Sequence, residues 1–142
     1  MPNRITSFEQ LPKIIAVDFD GTLVSDKWPN IGKPNIALFE LLRYLRQEKG
    51  VKLILWTSRN YSDKYGDLLE EAIEFCTSKG LEFDAINENI REVIELTGED
   101  TRKVYADIYF DDKGVPAMRS PVYWCNKLGI NWKELMGYTP AY

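Results

Sequence analysis

Two carboxylates that follow an apolar run are the residues of this chain best suited to chemistry. Asp18 and Asp20 come directly after the apolar residues Ile14 to Val17, with Phe19 between them. Like charges this close to a buried strand destabilise a fold unless a cation offsets them. The alternative is a strand that ends at a solvated acidic turn, because Asp and Gly are common turn residues. We favour a strand that presents two carboxylates to a metal ion.

Polar side chains also end two later apolar segments. Thr57 follows the run Val51 to Trp56, and Asp111 and Asp112 end the segment Arg102 to Asp112. The carboxyl ends of parallel strands meet at one edge of a sheet, and ligands bind beyond that edge. We therefore expect these side chains to converge on Asp18.

Strands and helices alternate along the chain, which predicts a three-layer α/β sandwich with a mainly parallel sheet. Leu38, Leu41, Leu42 and Leu45 recur at helical spacing. Strands are predicted at Ile14 to Val17, Val51 to Trp56, Leu81 to Ile86 and Arg102 to Asp112. Helices are predicted at Asn35 to Lys49, from an N-cap at Ser62 to Gly80, and around Ile90 to Gly98. Ser25 to Pro34 is rich in Pro, Gly and Asn and predicts an irregular flap.

A length of 142 residues fits a single domain, residues 1–142, without repeats. Beyond Gly114 the pattern weakens. We expect a helical turn or two at Asn131 to Met136, and several apolar side chains of this tail in the core or at an interface: Trp124, Leu128, Ile130, Trp132, Leu135 and Met136.

Composition excludes several classes of function. A net charge of −4 argues against a broad nucleic-acid-binding face. The chain contains no His, which excludes His metal sites and Ser-His nucleophiles. Cys76 and Cys125 lack metal-ligand spacing and are predicted to be buried, reduced thiols. Met1 to Lys13 carries no apolar leader, and no apolar run is long enough to span a bilayer, so we expect a cytoplasmic protein that binds no membrane.

The run from Asp18 to Leu23 resembles the first motif, DxDGT, of the phosphatases of the haloacid dehalogenase (HAD) superfamily. In order along the chain, Thr57 is similar to the second motif and the Asp111-Asp112 pair to the fourth. The resemblance implies a HAD-like, Rossmann-like fold. It also implies a phosphate-binding role for Thr57 and Ser58.

The third motif of the family is a Lys that neutralises the phosphoryl charge. Lys103, at the start of the last predicted strand, is our candidate for phosphate binding. Arg102 and Lys113 are the alternatives.

The resemblance implies a phosphohydrolase that works in two steps. Asp18 attacks phosphorus and forms an aspartyl-phosphate, and Asp20 protonates the leaving oxygen and then activates water. Mg²⁺ is the implied cofactor, held by the Asp18 side chain, the Asp20 backbone carbonyl and Asp111, with Asp112 beside them.

The intervals in which HAD enzymes often insert a cap domain are filled by the predicted elements, so the chain is expected to be capless. An open site suits a bulky substrate or closure by a second copy of the chain. Trp28 either covers the site as a lid or packs over the domain edge. Arg59 is either an exposed residue at a helix start or a substrate contact. The phosphorylated substrate is not indicated.

Two other functions compete with a phosphatase. A signalling receiver domain gathers similar groups, but it places its acidic pair first and its acceptor Asp later, the reverse of the order here. A catalytically idle HAD scaffold that binds a phosphorylated ligand or a protein partner is the second alternative. The chain contains every carboxylate that catalysis requires, which favours an enzyme.

Overall fold

The apolar run Ile14–Val17 forms the first strand, β1, in the computed structural model, and its four side chains are buried. The remaining strands are β2 (Val24–Lys27), β3 (Asn30–Pro34), β4 (Lys52–Leu55), β5 (Tyr61–Ser62), β6 (Gly66–Asp67), β7 (Ala85–Ile86) and β8 (Ile108–Phe110). The helices are α1 (Ile36–Lys49), α2 (Leu68–Ser78) and α3 (Arg91–Thr97), with a short 3-10 helix at Phe8–Gln10.

The structure describes residues 4–114 and, beyond them, residues 122, 126, 128, 129, 131 and 133. The chain divides into two compact units, Met1–Asp112 and Lys113–Tyr142. A single domain over residues 1–142 stays a prediction. The expected helical turn at Asn131 to Met136 and most of the expected tail packing lie outside the described residues. Leu128 is described and is exposed, so of the two expected places, the core and an interface, the core is wrong for this residue.

β1 lies inside a four-stranded parallel sheet with the order β7-β4-β1-β8. Ile14 pairs with Lys52 and Val17 with Leu55 on one side, and Val17 pairs with Phe110 on the other. A central strand of a parallel sheet is covered on both faces, which accounts for its unbroken apolar sequence. The predicted α/β class and the parallel sheet are confirmed.

Two apolar clusters form on the sheet, and their strand residues alternate as the pleat requires. Val17, Leu53 and Leu55 belong to the first cluster, which includes Phe39 and Leu42 of α1 and Ala72 and Cys76 of α2. The second cluster is composed of residues from the alternate strand positions and from the segments around α3: Ile14, Ala16, Ile54, Ala85, Ile90, Val93 and Val104. None of the helices in the described residues is long and apolar enough to cross a membrane.

Helix ends follow their capping residues. The Asn35 side chain accepts a hydrogen bond from the Leu38 N–H at the start of α1, and Gly50 ends this helix with a left-handed φ of 68°. The predicted helix Asn35 to Lys49 is thereby confirmed to within its cap. The second helix begins later than predicted, because Asp67 and not Ser62 is its N-cap. The Ser62 hydroxyl instead accepts from the Tyr65 N–H in the small antiparallel hairpin β5–β6.

The predicted irregular flap, Ser25 to Pro34, is mostly a hairpin. β2 and β3 pair antiparallel around a turn at Trp28 and Pro29. The last strand is much shorter than the predicted Arg102 to Asp112, because the Tyr105 N–H donates to the buried Asn89 side chain and not to a neighbouring strand. Pairing with β1 starts only where the Asp107 N–H reaches the Ile14 carbonyl, at 2.8 Å.

Candidate functional site

Three polar side chains lie where three adjacent parallel strands end. Asp18 follows β1, Thr57 lies two residues beyond β4, and Asp111 follows β8. The Asp18 N–H donates to the Phe110 carbonyl at 2.9 Å, and the Trp56 N–H donates to the Val17 carbonyl at 2.9 Å. These backbone bonds continue the sheet to its edge. The sheet therefore brings the strand ends together as the sequence predicted.

Asp18, Asp111 and Asp112 form an acidic cluster. One carboxylate oxygen from each lies within 4.8 Å of the others, a grouping that could hold a metal ion. Asp18 is partly buried, and Asp111 and Asp112 are exposed. Three carboxylate oxygens suit a hard cation such as Mg²⁺, which binds oxygen ligands.

The pKa of Asp18 is raised by its surroundings. Burial raises the pKa of Asp18 to about 6, and the charges of Asp111, Asp112 and Asp20 add smaller increases. The Phe19 N–H, which donates to the Asp18 Oδ1 at 2.8 Å, opposes the shift. A cation between these carboxylates would relieve both the desolvation and the repulsion, so the acidic cluster fits the metal that the sequence implied.

The loop between β1 and β2, residues 18–23, is the first loop of the sheet. Gly21 lets this first loop approach the acidic cluster. Its φ is +82°, and a Cβ built on it would lie 2.2 Å from the Asp112 Oδ2. A side chain at this position would need a disfavoured backbone conformation and would also displace that carboxylate. The loop is closed by the Gly21 N–H, which donates to the Val24 carbonyl at 2.8 Å.

Thr22 in the same loop has a buried hydroxyl. Its Oγ1 makes no hydrogen bond within the described part of the protein. The Thr22 N–H donates to the Phe19 carbonyl, so the turn is satisfied by backbone alone.

Asp20 lies two residues after Asp18, but its carboxylate is bound to Arg59 and is not part of the acidic cluster. Its two carboxylate oxygens accept hydrogen bonds from the Nε and Nη2 of Arg59, both at 2.8 Å. The Arg59 side chain is 0% exposed and the Asp20 side chain 17% exposed. The guanidinium carbon also lies 5.0 Å from the ring centroid of Phe19. This is a bidentate, charge-assisted pair, the strongest kind of side-chain hydrogen bond.

Arg59 was expected to be an exposed residue at a helix start or a substrate contact, and the first expectation is wrong. The residue is buried, and the next helix starts at Leu68. Besides Asp20, its guanidinium donates to the carbonyls of Pro29 at 3.3 Å and Asn30 at 3.1 Å. Contact with substrate stays a prediction. Nothing in the local sequence identified Asp20 as its partner, which is 39 residues away.

Thr57 and Ser58 lie in the loop after β4. The Thr57 N–H donates to the Asn87 Oδ1 at 2.8 Å, and the Thr57 hydroxyl accepts from the Arg59 N–H at 3.1 Å. The hydroxyl keeps its own hydrogen for donation. Ser58 is exposed. Phosphate binding by these residues stays a prediction. The next helix begins only at Leu68.

The remaining candidates are less centrally placed. Lys103 precedes β8, and its ammonium lies 6.0 Å from the ring centroid of Tyr109. Lys103 thus comes before β8 along the chain and Asp111 directly after it. The phosphate-binding role of Lys103 stays a prediction. Arg102 and Lys113 are exposed, and Lys113 begins the second unit.

Trp28 occupies the turn between β2 and β3 and is 49% exposed. Its ring packs edge-on against the ring of Tyr65, with the two ring centroids 5.0 Å apart. Its two predicted roles, as a lid over the site or as a cover of the domain edge, stay predictions. Cys76 is buried as predicted, and burial raises its pKa to about 12. Cys125 lies outside the described residues.

Comparison with solved structures finds a conserved protein coded by a locus from Bacteroides thetaiotaomicron. It is 38% identical to this chain, the match covers 90% of this chain and 100% of the other, and the TM-score is 0.61. The chain belongs to the family of this conserved protein. No protein-family model matches the chain, and no curated protein matches it. The similarity supports the α/β fold with its four-stranded parallel sheet.

Proposed function

We propose that this protein is a Mg²⁺-dependent phosphohydrolase of the HAD type that acts through an aspartyl-phosphate at Asp18. The observation that carries the proposal is the acidic cluster, in which Asp18 and the Asp111-Asp112 pair meet at the carboxyl ends of adjacent parallel strands. Their order along the chain, with the DxDGT sequence first and the acidic pair last, is the order of the HAD motifs. It is the reverse of the order in a receiver domain.

The finer architecture belongs to the same proposal. The two apolar clusters, with α1 and α2 in one and residues around α3 in the other, support a three-layer sandwich. The interval between Leu23 and Leu53 holds β2, β3 and α1, and the one between Asn60 and Lys103 holds β5, β6, α2, β7 and α3. These elements support a capless protein. A cytoplasmic location and closure of the site by a second copy remain predictions.

In the proposed reaction, a carboxylate oxygen of Asp18 attacks phosphorus in line with the leaving oxygen. The bond from phosphorus to that oxygen breaks, and the oxygen takes a proton from Asp20. In the second step a water attacks the aspartyl-phosphate, Asp20 accepts the proton of that water, and the bond between phosphorus and Asp18 breaks. Phosphate leaves, and both carboxyl groups return to their starting states.

Asp18, Asp111 and Asp112 are the side chains that would hold Mg²⁺. The bound ion would neutralise the charge that carboxylates and phosphoryl oxygens bring together. The Thr57 hydroxyl, which keeps a hydrogen to donate, is our candidate for binding a phosphoryl oxygen.

A phosphatase screen tests the proposal. We expect release of phosphate from at least one member of a panel of phosphorylated metabolites and end-phosphorylated oligonucleotides. The activity should require Mg²⁺ and should be abolished by chelation and by Asp18→Asn. Cation and ligand binding without turnover would contradict the proposal and would favour the idle scaffold.

A further inference from the structure

The contact of Arg59 with Asp20 is part of a larger set of hydrogen bonds that its guanidinium donates. Four of the five N–H groups of Arg59 are used, two on the Asp20 oxygens and two on the carbonyls of Pro29 and Asn30. The guanidinium is thus held from two sides, by Asp20 in the loop after β1 and by the turn of the β2–β3 hairpin. Only a planar fork with several donors can serve all of these acceptors at once.

We infer that Arg59 is a positioning residue, which fixes the orientation of the Asp20 carboxylate for proton transfer and ties the β2–β3 hairpin to it. This inference rests on the proposed function. Each carboxylate oxygen has two lone pairs, of which the contact with Arg59 occupies one. The other lone pair stays available to hold a proton for the leaving oxygen or to accept one from water.

Fixed orientation matters because proton transfer requires the donor and acceptor atoms within hydrogen-bond distance in the transition state. Asp20 follows Phe19, whose buried ring lies under the guanidinium, so the pair is anchored on the core. The backbone N–H of Arg59 donates to the Thr57 hydroxyl. The loop that carries the candidate phosphate-binding hydroxyl is therefore connected directly to the residue that orients Asp20.

Arg59→Lys is the informative variant, because it keeps the positive charge and most of the volume but loses the bidentate contact. Two esters of similar size, 4-nitrophenyl phosphate and phenyl phosphate, are the probes. Nitrophenolate leaves readily without a proton, whereas phenolate depends much more on one. A value of kcat/KM reports formation of the aspartyl-phosphate, the step in which Asp20 protonates the leaving oxygen.

We expect Arg59→Lys to lower kcat/KM for phenyl phosphate by about 100-fold, the lower end of the usual benefit of positioned acid catalysis. The loss for 4-nitrophenyl phosphate should be at least about tenfold smaller. Mg²⁺ affinity, measured by calorimetry, should stay close to that of the wild type, because Arg59 is bound to Asp20 and not to the acidic cluster.

Arg46→Lys is the matched control. Arg46 makes a similar two-point contact with Asp84, at 3.2 Å for each bond, near the amino end of β4. This variant should leave both kcat/KM values unchanged. Arg59→Met is a second test variant, and circular dichroism establishes that each variant is folded before its kinetics are compared.

The possible results are separable. Equal losses of kcat/KM for the two esters would show that Arg59 only supports the fold. Unchanged kcat/KM values in Arg59→Lys would also overturn the inference. Both results leave the proposed function intact. A wild-type protein without Mg²⁺-dependent turnover of either ester or of the screening panel would overturn the proposed function, and the inference with it.

Discussion

Replacing Gly21 by alanine should disrupt the acidic cluster through a single methyl group. At φ +82° a non-glycine residue is strained by about 1 to 2 kcal/mol. The added Cβ would also lie 2.2 Å from the Asp112 Oδ2 and 2.6 Å from its Cγ, so the carboxylate must move. Because Asp112 is exposed, it can swing into solvent. We therefore expect the contact to disturb the acidic cluster rather than the core.

Gly66 provides a matched control. Its φ is also +82°, but nothing lies within 4 Å of a Cβ built at this position. Gly66→Ala should therefore carry the same backbone strain without a steric contact. We expect both variants to lose about 1 to 2 kcal/mol of unfolding free energy. Only Gly21→Ala should also lose affinity for a divalent cation, by roughly 10-fold or more, as when the support of a metal ligand is lost.

Urea denaturation in the presence of EDTA measures the strain, and titration calorimetry with Mg²⁺ and Mn²⁺ measures the affinity. If the two variants bind cations equally well, Asp112 does not contribute to the site in the way described. If Gly21→Ala loses several kcal/mol more than Gly66→Ala without the cation, the methyl group disturbs the core and not only the carboxylate.

Three further variants test single features of the site. Burial raises the pKa of Asp18 to about 6 from an ordinary 3.8, so folding favours its protonated form and the penalty for its charge grows as the pH rises from about 4 to above 6. In EDTA, Asp18→Asn should raise the melting temperature by a few degrees at pH 7.5 and change it little at pH 4. The same melting-temperature shift at both pH values would show that it does not arise from the charge of Asp18. Thr22→Val removes a buried hydroxyl that has no partner in the described residues, and should leave the unfolding free energy unchanged or raise it by about 1 kcal/mol; a clear loss in urea denaturation would show that the hydroxyl is bonded. Arg59→Met leaves the Asp20 carboxylate with little compensation and should cost about 3 kcal/mol, of which adding Asp20→Asn should recover a part; additive losses in the double variant would mean that the two side chains are not coupled.

The parts of the fold that follow from local pattern were predictable. An unbroken apolar run indicates a buried parallel strand, and the leucines at helical spacing before Gly50 indicate α1 with its end. Because parallel strands end at a common edge, the meeting of Asp18 with Asp111 and the position of Thr57 just beyond the adjacent strand followed from these elements.

The parts that depend on distant side chains were not predictable. The Asn89 side chain accepts a hydrogen bond from the Tyr105 N–H, and the last strand is shorter as a result. Arg59 pairs with Asp20, which is 39 residues away in the sequence. Neither contact has a signature in the sequence around either residue. Ser62 and Asp67 are both good capping residues. Ser62 lies in the β5–β6 hairpin, so α2 begins after Asp67. The two-residue strands of this hairpin carry no periodic pattern that the sequence could show.

Chemical trapping tests whether the proposed aspartyl-phosphate forms at Asp18. The protein would be mixed with Mg²⁺ and a phosphorylated compound that it hydrolyses in the screen. It would then be reduced with borohydride, which converts an aspartyl-phosphate to homoserine, and analysed by peptide mass spectrometry. We predict homoserine at position 18 in the wild type, which Asp18→Asn and EDTA abolish. Turnover with Asp18 unmodified, or with the modification at Asp111 or Asp112, would rule out Asp18 as the nucleophile.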